Sequence, residues 1–67
     1  MTIGQAIRKA RREREISQRL LAYKSGVAQA AISQWENDKR EPSVAHLILI
    51  ADALCISLDE LVGRKRR

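Results

Sequence analysis

SQRLLAYKSGVAQAAISQWE, residues 17–36, reads as two short helices with a sharp turn between them. Ile16 and Leu21 flank Ser17 at the spacing of a hydrophobic staple, in which apolar residues on either side of a helix N-cap lock the chain's entry angle. Val27 and Ile32 repeat that spacing around Ala28. Between the two, Gly26 fits the left-handed residue that ends a helix. The second helix then opens on Gln29, Ala30 and Ala31 and closes on Trp35, the only Trp of the chain. Val27, Ile32 and Trp35 serve a core. The small residues and glutamines do not, and they ask for another contact.

The same pattern extends outward. Pro42 and Leu47 surround Ser43, and Ile56 and Leu61 surround Ser57. Ser57-Leu58-Asp59-Glu60 and Thr2-Ile3-Gly4-Gln5 both have the capping-box arrangement. The spacing predicts five helices, at 3–14, 18–25, 29–37, 44–54 and 58–62. No segment alternates apolar and polar residues as a half-buried strand would. The expected fold is all-α, a compact five-helix bundle with short connections. Its core is expected from Ile3, Ile7, Ile16, Leu21, Ala22, Val27, Ile32, Trp35, Leu47, Ile50, Ala51, Leu54, Ile56 and Leu61. Leu47, Ile50, Ala51 and Leu54 form one stripe of the fourth helix, and His46 is expected at its surface. Gly63 can end the fifth helix. The domain is then 1–63, and the basic tail Arg64–Arg67 is expected to be disordered.

Sixty-seven residues make one small domain with a thin stability margin and no room for a deep catalytic pocket. There is no bilayer-spanning apolar run and no signal-peptide pattern, so a cytoplasmic protein is expected. Cys55 is the only cysteine and His46 the only histidine. That excludes an internal disulfide and leaves no ligand cluster for zinc. No nucleophile–base set and no phosphate-binding glycine loop is present. No enzyme activity, metal or cofactor is therefore expected. The formal net charge is +5, unevenly spread. Residues 1–40 carry nine of the thirteen Lys/Arg, and residues 41–63 carry none, with Glu41, Asp52, Asp59 and Glu60 as their charges. The first part suits a polyanion partner. Charge alone fits a merely solvated surface equally well.

Two helices joined by a tight turn at Gly26 form a helix-turn-helix arrangement. Ser17-Gln18, Leu21-Ala22, Gly26-Val27, Ile32-Ser33, Trp35-Glu36-Asn37, Pro42-Ser43 and the run Ala53–Leu61 keep a register across residues 3–63. In that register the chain resembles the lambda-repressor/Cro-like family of regulators, also called the XRE family. The resemblance implies a lambda-repressor-like fold whose third helix lies in the major groove of double-stranded DNA. It implies base contacts from Gln29, Ala30 and Gln34, with Ser33 beside them. A glutamine amide can pair with adenine in a bidentate contact, and an alanine methyl can pack on that of thymine. Phosphate contacts are implied for Gln18, Asn37, Lys39 and Arg40. The solvated-loop reading stays open for each.

Arg11 and Glu36 match a family ion pair, and the resemblance implies a phosphate contact for Arg11 as well. Arg8, Lys9, Arg12 and Arg14 are expected to be solvated. Three positions depart from the family. Ala28 stands where the recognition helix often has a Ser or Thr cap, and Glu15 and Cys55 stand where helices often end on Gly.

The family also implies a two-fold dimer on a palindromic operator, acting as a transcriptional repressor without a cofactor. Leu49, Ile56, Leu58 and Val62 are the expected homodimer interface. The alternative is an antitoxin or other protein-interaction module that uses the same fold to hold a protein partner.

Overall fold

The computed structural model describes residues 1–62, all helical elements and short connections. Gly63 and the tail at 64–67, with the expectations placed on them, lie outside the described residues. Five helices follow in order: α1 (Ile3–Glu13), α2 (Gln18–Ser25), α3 (Gln29–Glu36), α4 (Val44–Leu54) and α5 (Leu58–Leu61). α1, α3 and α5 each end one residue earlier than the spacing predicts. Arg14, Asn37 and Val62 are their C-caps instead.

The caps explain where the helices begin. Ser17, Ser43 and Ser57 each accept a hydrogen bond at Oγ from the backbone N–H three residues on. The Thr2 capping box is complete, with Gln5 Oε1 accepting from Thr2 N at 3.0 Å. The expected box at Ser57 is only half made. Glu60 turns its carboxylate to the Ser57 hydroxyl, at 3.4 Å, in place of the Ser57 backbone N–H. Ala28 caps α3 with extended backbone and no side-chain bond. Its φ of −61° and ψ of 137° suit a serine without strain. Ala28→Ser is expected to stabilise the protein by about 1 kcal/mol. Thermal unfolding then shifts upward by roughly 4–8 °C.

Four helices end on a left-handed residue: Glu15, Gly26, Asp38 and Cys55, with φ of 55°, 75°, 59° and 58°. The Glu15 and Cys55 ends use the paired backbone bonds of a Schellman motif, such as Ile56 N to Ala51 O and Cys55 N to Asp52 O. Asp38 is a third non-glycine of this kind that the sequence does not signal, although Asp is among the residues that tolerate the conformation. At the turn between α2 and α3, Ser25 is buried. Its Oγ accepts from Val27 N at 3.2 Å and donates to Ala22 O at 3.4 Å, which fixes the bend beside Gly26.

The core joins all five helices through Ile7, Ala10, Leu21, Val27, Ile32, Trp35, Leu47, Ile50, Ala51, Leu54 and Leu61. Ile3, Ile16, Ala22 and Ile56, expected as core, are only half-buried at its edge. Ala10 joins the core unexpectedly, because α1 presents Ile7 and Ala10 on the same stripe. α1 packs against α3, α4 and α5, and α2 packs against α3 and α4. Trp35 is buried and its ring meets that of exposed His46, with centroids 5.1 Å apart.

Gly4 sets how near α1 comes to α3. A Cβ at this position would stand 1.8 Å from the backbone oxygen of Trp35. The first turn of α1 therefore lies directly on the C-terminal turn of α3, and a glycine is required for the contact.

Candidate nucleic-acid interface

α3 shows two different surfaces. Ile32, Trp35 and Glu36 point inward and are buried. Gln29, Ala30 and Gln34 are exposed, and Ser33 is half-buried beside them. Helix periodicity puts Gln29 and Ser33 on one row and Ala30 and Gln34 on the next. Two adjacent rows thus make one strip of short or amide side chains, beginning at the N-terminus of the helix.

The strip is held by a buried carboxylate. The Glu36 side chain has no exposed surface. Its Oε2 accepts from Arg11 Nε at 2.8 Å, and its Oε1 accepts from Arg11 Nη2 at 3.1 Å. Oε1 also accepts from Gln18 Nε2 at 3.2 Å and Arg8 Nε at 3.4 Å. One side chain of α3 is therefore tied to α1 twice and to the first turn of α2. No buried side-chain polar atom among the described residues lacks a partner. Burial pushes the Glu36 carboxyl up, but donors from Arg11, Gln18 and Arg8 outweigh it, and the group titrates below its ordinary value. The same hydrogen bond to Glu36 holds the Arg11 guanidinium above its ordinary value.

The ion pair between Arg11 and Glu36 is thus present as the sequence suggests. Arg11 is more occupied than expected, since Nη1 also donates to Ile16 O at 2.8 Å. All three of its nitrogens donate within the protein. Gln18 turns its amide inward to Glu36. Two expectations of a solvated side chain are corrected. Arg8 bridges Glu36 and Asn37, donating to Asn37 Oδ1 at 2.9 Å. Arg14 folds back on the backbone, with Nε donating to Leu54 O and Nη1 to Ala10 O. Each carries a carbonyl or carboxylate within reach of a long, flexible donor, which spacing alone does not disclose. Lys9 and Arg12 are exposed, as are Lys39 and Arg40 in the turn after α3.

Of the expected interface residues, Leu49 and Val62 are exposed, whereas Ile56 and Leu58 are half-buried against the core. Exposed apolar side chains also occur away from that set, at Leu20, Tyr23, Val44 and Ile48. No described helix is long and apolar enough to cross a membrane. No group of three or more His, Cys, Asp or Glu among the described residues could hold a metal ion.

Comparison with known proteins places this geometry. The chain is 35% identical over 65 residues to the immunity repressor protein of Bacillus phage phi105, covering 97% of this chain and 45% of that protein. It is 38% identical over 60 residues to repressor protein C2 of Salmonella phage P22, covering 90% of this chain and 28% of that protein. The chain thus spans less than half the length of these relatives. Among solved structures, it is similar to the P22 c2 repressor protein in complex with a synthetic operator, at 35% identity and a TM-score of 0.85. That match covers 97% of this chain and 98% of the other. The restriction-modification controller protein C.AhdI from Aeromonas hydrophila matches with a TM-score of 0.85 and 32% identity, over 88% of this chain and 89% of its own. A Helix-turn-helix family model matches residues 7–61, which include the two-row strip, the Gly26 turn and the Glu36 network. The chain belongs to the helix-turn-helix family, in the lambda-repressor-like group that its residues resemble.

Proposed function

We propose that this chain is the DNA-binding unit of a sequence-specific transcriptional repressor that lays α3 in the major groove of an operator. The observation that carries the reading is the exposed strip of Gln29, Ala30, Ser33 and Gln34 on a helix whose angle is fixed by buried Glu36. A base-reading helix must be both accessible and rigidly aimed, and α3 meets both demands. Kinship with two phage repressors supports it, as does likeness to a repressor solved with its operator.

Gln29, Ala30, Ser33 and Gln34 then face base edges. Lys39, Arg40, Asn37 and the N-terminal turn of α2 at Gln18 face phosphates. Arg11, whose nitrogens serve Glu36 and Ile16, acts by positioning. Two copies paired through the face of Leu49, Ile56, Leu58 and Val62 would present two α3 helices to a palindrome in the cytoplasm.

Substitutions separate the roles. Gln29→Ala is expected to relax preference at one base-pair position, by about 1–3 kcal/mol there, and to leave other positions unchanged. Lys39→Ala is expected to weaken every duplex alike and to lower the slope of log affinity against log salt by about one unit. Titration of duplexes carrying single base-pair changes measures both. A Gln29→Ala protein that weakens all duplexes equally would remove Gln29 from base reading.

A further inference from the structure

α4 is apolar on nearly every side. Leu47, Ile50, Ala51 and Leu54 face the core. Val44, Ile48 and Leu49 face outward, with Val44 67% and Ile48 46% exposed. His46 and Asp52 are the only polar side chains of the helix, and the His46 ring lies against Trp35. A helix that is apolar all round is ordinarily covered all round. Val44, Ile48 and exposed Asp52 follow one another four residues apart, so they share one outward row.

Asp52 stands at the unfavourable end of its own helix. A helix N-terminus carries partial positive charge and a C-terminus partial negative charge. α4 has no acidic residue in its first turn and no basic residue in its last, where Asp52 lies. The ion pairs among the described residues all end on Glu36, so Asp52 has none there. At the other end, Ser43 Oγ accepts from His46 N and Ser43 O accepts from Leu47 N. The N–H groups of Val44 and Ala45 are left without an acceptor inside the helix.

We propose that two copies of this chain pack α4 against α4, antiparallel, about a two-fold axis at Ile48. Such an axis makes every contact reciprocal. Ile48 meets Ile48 of the second copy, and Asp52 reaches the first turn of the second copy's α4, at Val44. Each carboxylate then lies at a positive helix end. A parallel pair would set the two Asp52 carboxylates side by side at two negative ends. Charge also selects a second copy as the occupant. Each copy carries a net +5, but residues 41–63 hold no Lys or Arg, so on the α4 row two cationic copies meet without opposing cations. The inference rests on the two-fold pairing proposed above and moves its axis to α4. Leu49 lies beside the axis. Ile56 and Leu58, half-buried against their own core, fall toward the margin with Val62.

Disulfide trapping without DNA tests the axis. Single cysteines are placed in a Cys55→Gly protein, which lacks the exposed native thiol and has glycine at a left-handed position. Packed helices lie about 8–10 Å apart, which brings Cα atoms at the axis to about 4–5 Å, within disulfide reach. Ile48→Cys is expected to cross-link about tenfold faster than Val44→Cys, Asp52→Cys or Val62→Cys alone. Val44→Cys and Asp52→Cys, when mixed, are expected to link to each other. Asp52→Lys supplies a second readout. At dilution it should raise the thermal midpoint, because a cation suits its own helix end, yet weaken self-association about tenfold in sedimentation. A purely structural role would move both in one direction. Fastest linking by Val62→Cys would put the contact at α5, and fastest linking by Asp52→Cys would make it parallel. Either result overturns the proposal. So would a wild type that stays monomeric at every concentration, or an Asp52→Lys protein that associates as the wild type does. A wild type that pairs in this way but enriches no DNA motif would remove the DNA-reading function and leave the pairing intact.

Discussion

Gly4→Ala is expected to remove about 3 kcal/mol or more of stability, a large share of what a domain of this size has. The added methyl would stand 1.8 Å from Trp35 O and 2.9 Å from the carbonyl carbon of the same residue. Both are backbone atoms in the last turn of α3, so no side-chain rotation relieves the contact. α1 and α3 would have to separate, although Ile7 and Trp35 pack in the same core. Overpacking a core with small additions costs about 1–3 kcal/mol, and a backbone clash of this depth should reach about 3 kcal/mol or more. A domain of this size has roughly 3–10 kcal/mol in all. In an unhindered helix the same substitution would stabilise by about 0.5–1 kcal/mol, so the sign of the effect is diagnostic. Urea denaturation of the two proteins gives the answer. A Gly4→Ala protein with an unchanged or raised midpoint would mean that α1 does not approach α3 as described.

Removal of the Glu36 carboxylate is expected to cost about 3–5 kcal/mol, because it leaves Arg11 partly buried and without its counter-charge. Glu36→Ala should therefore rival Gly4→Ala in destabilisation, and Glu36→Gln should fall between it and the wild type. The pH dependence has a definite sign. Glu36 titrates below its ordinary value of 4.5 in the folded protein, since its hydrogen-bond donors outweigh the opposing effect of burial. The folded state thus binds a proton there less readily than the unfolded chain. The stability it contributes is fully present above the unfolded value and is lost as pH falls through the lower folded value. Wild type should lose stability in that acid range, and Glu36→Gln should be less stable at neutral pH with a shallower acid limb. Denaturation midpoints taken from neutral to acid pH distinguish this from general acid unfolding. Parallel curves for the two proteins would show that Glu36 is not the titrating group.

Much of the fold is legible in the sequence because short-range chemistry sets it. Serine caps, the Thr2 capping box, staple pairs and Gly26 place all five helices to within one residue at each end. The major core positions follow from the same periodicity. Long-range approach is harder to see. Gly4 has the appearance of an ordinary capping-box residue, and only the position of the Trp35 carbonyl shows why a methyl cannot be there. A glycine in a first helical turn, where Ala would be the better helix former, was the available signal. Asp38 gave no comparable warning of its left-handed backbone.

At the candidate site the strip on α3 and the Arg11–Glu36 pair were readable from the family register. The convergence of Arg8 and Gln18 on the same carboxylate was not, because long side chains choose among several acceptors and their choice depends on tertiary placement. Arg14 is a further case, spent on backbone carbonyls of α1 and α4. Charge counting could identify a basic half of the chain, but not which of its arginines are already committed.

The outward strip of α3 is the surface proposed to read DNA sequence. The most direct measurement is selection of wild-type-bound duplexes from a random pool at near-physiological salt, where non-specific binding is suppressed. The expected result is an enriched motif with two-fold symmetry, its half-sites about 10–10.5 base pairs apart or a multiple of that. Recovery of no motif, with all duplexes released alike as salt rises, would contradict it.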